Sequence, residues 1–328
     1  MNLAELNLNV RIYTPSKYKF ITVKGKDSID LLDRLTTNDL KSLKSMEHAY
    51  SLLVSPKGRM IEMLSVLNLE GQIILGCSAD SLNKVLEWID FYTFGEEVEI
   101  ILDQKDYQSK IMIMGENSIS FINFIFGIDM SLSEGKSMFI ALNKQHYGRI
   151  KLLIVNKNYF DFGHYEIYAS REDVDYVLKL FKQNRRNFKK VDNKFVDYLN
   201  DDKFNNYRIV NNLAGYPTEI NENYNPLEAG LKKYINFSKG CYVGQEVIAR
   251  LDTYSKVKNR LVLIKSDTEV DSELINKDKH IGNITSYTSP DFYNGDYKLA
   301  YIRKSFIKDI ESDFNFINNT GSEIKVYI

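Results

Sequence analysis

Two stretches of this chain repeat one construction. IILGCS (73–78) runs into ADSLNKVLEWIDFY, and HYEIYAS (164–170) runs into REDVDYVLKLF. Each begins with a β-branched, aromatic run that reads as a strand. Behind it, apolar residues recur at helical spacing: Leu82, Val85, Leu86 and Ile89 in the first, Val174, Val177, Leu178 and Phe181 in the second. The i, i+3, i+4, i+7 pattern puts each set on one helix face. Ser170 and Asp173 are spaced as a capping box, with Asp in the usual place of Glu. The echo points to two related α+β halves.

The flanking segments fill in that outline. KFITV (19–23) reads as a strand, and GKDSIDLLDRL as a helix capped by Asp27 or Ser28. AYSLLV, MIEMLSVLNL and IILGCS, separated by SPKG and EGQ, form a three-stranded meander. Val98 to Leu102 and Ile111 to Met114 are further strands. The basic stretch KQNRRNFKK (182–190) reads as a solvated helix end or loop. Residues 205–231 are polar and turn-rich, the texture of segments that line sites. From Val257 onward, VKNRLVLI, HIGNITSY, YKLAYIR and SEIKVYI alternate with turns. Short strands without helices predict a small β-barrel or sandwich of about 70 residues. The domain boundary is expected near 250, with residues 1–250 as the α+β region and 251–328 as the C-terminal domain.

Composition narrows the function classes. With 328 residues, two or three domains are expected. Lys plus Arg is 43 against 44 Asp plus Glu, a formal net charge of -1. A nucleic-acid coat needs a basic excess, so direct nucleic-acid binding is not expected. No apolar run approaches the roughly 18 to 20 residues of a membrane span. MNLAELNLNVRIY has neither signal-peptide nor transit-peptide character, so the expected location is the cytoplasm, where thiols stay reduced. Cys77 and Cys241 are too few for a four-cysteine site, and His48, His146, His164 and His280 lack ligand spacing. No metal site is expected. Cys77 reads as a packing residue, and His164 as a satisfied loop histidine.

The densest chemistry lies in KGCYVGQE, residues 239–246. Gly240 and Gly244 allow positive φ or close backbone approach on either side of the Cys241 thiol. Lys239 favours the thiolate. Gln245 and Glu246 offer an amide and a carboxylate suited to the edge of a pterin or purine ring. VIAR begins a helix, so the motif stands at a helix entrance, where anions and thiolates are favoured. The competing reading is a buried cysteine that only packs.

KGCYVGQEVIAR resembles the signature of the YgfZ family. These are folate-binding proteins linked to iron–sulfur cluster assembly and repair, and relatives of the T-protein, the aminomethyltransferase of the glycine cleavage system. YRIVNN, NPLEAGL, LLVSPKGRM, KVKNRLVLI, IGNITSY and YKLAYIR resemble other segments of that family. The resemblance implies an α+β fold of T-protein type: two α+β portions and a C-terminal small β-barrel around a central cavity. It implies a tetrahydrofolate or a one-carbon derivative as cofactor, and iron–sulfur client or assembly proteins as partners. It also implies Cys241 and Lys239 as catalytic residues, with Arg208, Tyr242, Gln245, Glu246 and Arg250 on the folate. The chain departs from the family after Arg208-Ile209, where the family's glycine is missing, and at Lys258 and Arg260, which Asn259 splits.

Two other functions fit the sequence. A tetrahydrofolate-dependent aminomethyltransferase needs a carboxylate near the folate nitrogen. T-proteins carry an aspartate pair after a glycine-rich hairpin turn; the matching window here, GRMIEMLSV, offers only Glu62, and strand alternation puts it on the solvent face. A non-catalytic folate-binding adaptor, including one serving tRNA modification, is the other.

Overall fold

The computed structural model describes residues 7–144, 148–157, 159–192, 195–266, 270–289, 296–307, 312–319 and 321–327. His146, the start of the N-terminal stretch and parts of the turns after Ser266 and Ser289 lie outside them. The repeated strand–helix construction extends further than the sequence shows. β1 (Val10–Tyr13) precedes a first series: β2 (Tyr18–Lys24), α1 (Ser28–Leu35), the meander β3 (Glu47–Val54), β4 (Met60–Leu69) and β5 (Gln72–Ser78), then α2 (Leu82–Phe91) and β6 (Glu99–Leu102). The same order recurs in β7 (Ser109–Met114), α3 (Ser118–Phe126), β8 (Ser137–Lys144), β9 (Gly148–Asn156), β10 (His164–Ala169), α4 (Arg171–Asp192) and β11 (Val196–Leu199). The sheets match as well. One runs β3-β4-β5-β2-β6, the other β8-β9-β10-β7-β1-β11, with β1 inserted as an extra strand. β11 runs parallel to β1.

Local chemistry explains the boundaries. Ser170 Oγ accepts the Asp173 N–H at 3.1 Å and donates to its carboxylate at 2.8 Å, so the expected cap starts α4. Helix α4 runs through the basic stretch to Asp192 because Phe188 is buried and meets Phe121 edge-on, 5.1 Å between ring centres. In the second sheet Ile111, Ile113 and Ile167 pack beneath Phe121, Val177 and Phe181 of the two helices. A further cluster joins the two sheets: Phe20, Leu67 and Ile74 from one meet Leu153, Val155 and Tyr168 from the other.

The chain divides into two compact units. The first comprises Met1–Leu32, Leu40–Tyr50 and Leu64–Asp201; the second comprises Asp33–Asp39, Ser51–Met63 and Asp202–Ile328. The second unit holds most of α5 (Asp201–Val210), all of α6 (Gln245–Thr253) and a six-stranded antiparallel sheet. That sheet runs β13 (Glu273–Asn276), β14 (Lys279–Tyr287), β15 (Asp296–Arg303), β12 (Asn259–Ser266), β17 (Glu323–Tyr327), β16 (Phe314–Ile317). Register shifts at Leu274/Ile275 and Ile284/Ser286 curl it. Its two edges then meet: Asn319 N–H donates to the Ile275 carbonyl at 3.1 Å, and Ile275 N–H to Asn318 Oδ1 at 2.8 Å. Val262, Ile264, Ala300, Ile324 and Val326 fill the interior.

Candidate functional site

The cysteine loop is built on the Asp33–Asp39 segment of the same unit. Lys239 Nζ lies 2.9 Å from Asp33 Oδ1 and donates to the carbonyls of Asp33, Thr36 and Asn38 at 2.7, 3.0 and 2.6 Å. Its side chain is 2 % exposed. Asn236 Oδ1 accepts the N–H groups of Ser238 and Lys239, and Asn236 N–H donates to the Thr37 carbonyl. Val243 N–H donates to the Arg34 carbonyl at 3.0 Å. The loop is thus pinned before and after Cys241, and Cys241 itself is exposed. Cys77 is buried on β5, as the packing reading expects.

The two glycines of the motif differ. Gly244 has φ +81°, and a Cβ there would stand 2.5 Å from the Ser55 carbonyl oxygen, so only glycine fits. Gly240 has neither a left-handed φ nor any atom within 4 Å of a Cβ. The freedom expected of both is used by Gly244 alone, which opens α6 at Gln245. Gly58 of the SPKG turn, φ +66°, stands next to Val247 and Ile248 of that helix.

The remaining motif residues fall into two settings. Tyr242 is buried, its ring 5.4 Å from Lys239 Nζ; its hydroxyl is buried with no described partner, and burial pushes its pKa up to about 12. Gln245 is half-buried at the start of α6, and its amide makes no hydrogen bond to a described residue. Glu246 is 90 % exposed and stands 3.9 Å from Arg250, one turn on.

Arg208 has partners outside the loop. Its guanidinium donates to Glu219 at 2.8 Å, to the Leu213 carbonyl at 3.1 Å, to Ser286 at 2.8 Å and to Thr218 at 3.2 Å. Gly215 packs against this side chain: a Cβ there would lie 2.7 Å from the guanidinium carbon. Glu228, of NPLEAGL, is buried and accepts from Arg59, Asn225 and Asn259, joining the hairpin tip to the start of β12. Glu62 corrects the sequence reading. It is 3 % exposed rather than solvent-facing, because β4 is buried on both faces.

A second polar assembly, which the sequence does not announce, lies between the sheets of the first unit. Glu166 on β10 accepts from Lys110 at 2.8 Å and from Tyr168 at 2.8 Å, with Lys157 and His164 each 3.5 Å away. Lys157 also donates to Ser65 at 2.6 Å, and Ser65 meets His48 at 3.1 Å. His164 is therefore a core strand residue, not a satisfied loop histidine: neither ring nitrogen makes a hydrogen bond of normal geometry to a described residue. Burial pushes Glu166 upward, but Lys110, Lys157 and His164 hold it well below the usual carboxylate range. Burial brings Lys157 down to about 7. The signal in the sequence is Glu166 at the centre of the apolar strand HYEIYA.

The fold is of the aminomethyltransferase-like class. Residues 4–239 match the GCVT N-terminal domain family, and the chain belongs to that family. An aminomethyltransferase of Thermosipho melanesiensis is 25 % identical over 303 residues, 91 % of this chain and 79 % of its own length. A chloroplastic protein of Arabidopsis thaliana named as a transferase is 25 % identical over 295 residues, covering 88 % of this chain; the chain spans 64 % of that relative. The crystal structure of the glycine cleavage system aminomethyltransferase T of Bartonella henselae superposes with a TM-score of 0.76. That superposition has 16 % identity and covers all of this chain and 88 % of the other.

Proposed function

We propose that this chain is a folate-binding protein of the YgfZ type, whose Cys241 thiol supports the assembly or repair of iron–sulfur proteins. One observation carries the reading: Cys241 is exposed on a loop pinned on both sides, and a cysteine kept only for packing would be inside. Lys239 acts as the anchor of that loop. The donors and acceptors suit a reduced folate. Among the described residues the buried Tyr242 hydroxyl is unpartnered and the Gln245 amide is unengaged, and Glu246 and Arg250 are exposed on the first and last turns of α6. Tetrahydrofolate or a one-carbon derivative, once bound, supplies a one-carbon carrier. Arg208, assigned to the folate by resemblance, has its guanidinium spent on Glu219 and Ser286 and acts as a scaffold residue. Residues 1–250 hold the folate, and 251–328 form the C-terminal barrel. Among the described residues no three His, Cys, Asp or Glu side chains stand together as a metal site, so a cluster held by Cys241 takes its other ligands from the client.

A second reading has its own support. Glu62 is a buried carboxylate in the hairpin window where an aminomethyltransferase needs an acid, and relatives carry that name. Rescue of a bacterial host lacking its own family member separates the two. At matched soluble levels, Cys241→Ala is expected to abolish recovery of an iron–sulfur enzyme while Glu62→Gln retains it. Loss with Glu62→Gln and recovery with Cys241→Ala favours transfer chemistry. Recovery with both favours the adaptor.

A further inference from the structure

A cavity of about 210 Å³ opens in the first unit between β2 and β7, beside the start of α4. Three cationic residues line it: Lys19, Lys110 and Arg171. Gln108 and Ser109 add polar groups, Ser16 lines it while bonded to Asp201, and among the described residues no carboxylate is part of the wall. Among the described residues neither Lys19 nor Arg171 has an acidic partner within 4 Å. Lys110, the buried member, lies with its ammonium 3.6 Å over the Tyr18 ring and belongs to the assembly around Glu166. There Lys110 and Lys157 both approach the one carboxylate of Glu166, so the assembly behind the cavity presents no net negative charge to it. The N-terminus of the 22-residue helix α4 adds a partial positive charge, and its first-turn acids Glu172 and Asp173 do not line the space.

We propose that this cavity binds a small dianion, either a phosphate group or a short dicarboxylate. Its volume decides the size class. Sites for drug-sized ligands begin near about 300 Å³, and this one falls below that range. Lys19 and Arg171 reach the ligand from the rim, the guanidinium in bidentate fashion, and Lys110 supplies the charge beneath. The site shares no lining residue with the cysteine loop.

Calorimetric titration of the full chain tests this, with sodium phosphate, malonate or chloride at constant ionic strength. Phosphate or malonate is expected to bind saturably with one site per chain and chloride not to; which dianion binds more tightly identifies the ligand class. Lys19→Gln with Arg171→Gln should raise the Kd at least tenfold, and Lys19→Gln alone about threefold. Lys182→Gln with Arg185→Gln removes the same charge further along α4 and should change Kd less than twofold. Neither dianion binding above chloride overturns the proposal. Equal weakening by the two double variants also overturns it, since that would reflect only the general field.

Discussion

A buried ammonium needs its charge matched, and Lys239 has Asp33 at 2.9 Å with three carbonyls around it. Removing one partner of a buried pair leaves the other charge uncompensated, at a cost of about 3 kcal/mol. Asp33→Asn should therefore lower the urea midpoint with the m-value unchanged; an unaltered midpoint would show that the carbonyls suffice. Lys157 sets a pH dependence. Its pKa falls from the ordinary 10.5 to about 7 on folding, mainly through burial. Between those values the unfolded chain binds the proton and the folded chain does not, so stability rises as pH increases through that window. Below about 7 both forms are protonated and the full cost of burying the charge is present. The slope approaches about 1.4 kcal/mol per pH unit. Urea titrations at pH 7 to 9 should show it in the wild type and lose it in Lys157→Met; equal slopes would place the titration elsewhere.

Gly244 and Gly240 frame one loop under different constraints, which gives a paired test of how α6 is entered. Alanine at Gly244 meets both a left-handed backbone and the Ser55 carbonyl, and should cost about 2 kcal/mol or more. Alanine at Gly240 meets open space and should change the thermal midpoint little. Ser170→Ala removes the cap of α4 and should cost about 1 kcal/mol. These elements are the ones the sequence discloses well. A helix such as α2 carries its period in its side chains, and a cap its spacing. α3, SISFINFIF, hides its period because apolar residues occupy nearly every position, and β13 and β16 are only four residues each. The site is legible by the same rule. KGCYVGQE stands out as a cluster of residue types, whereas its cradle consists largely of backbone carbonyls from Asp33, Thr36 and Asn38, which any residue type supplies. Lys110 and Lys157 reach Glu166 from separate strands and loops, so of the three only Glu166, set within an apolar strand, is marked locally.

At the scale of the molecule, the second unit is not a contiguous piece of chain, since it takes in Asp33–Asp39 and Ser51–Met63. A fragment of residues 202–328 lacks the partners of Lys239 and the Arg59 that meets Glu228. It should unfold with a broad, shallow urea transition, and a peptide spanning residues 33–63 should sharpen it. A fragment as cooperative as the full chain would mean that the C-terminal sheet alone stabilises the unit. The same discontinuity sets a timetable during synthesis. The carbonyls that hold Lys239 belong to residues 201 to 206 positions earlier. At about 5 to 20 residues per second they leave the ribosome roughly 10 to 40 s before the lysine that fills them. Non-local contacts of this kind form late. A nascent chain stalled before residue 243 therefore cannot display a fixed Cys241, and the thiol acquires its orientation only in the last third of synthesis.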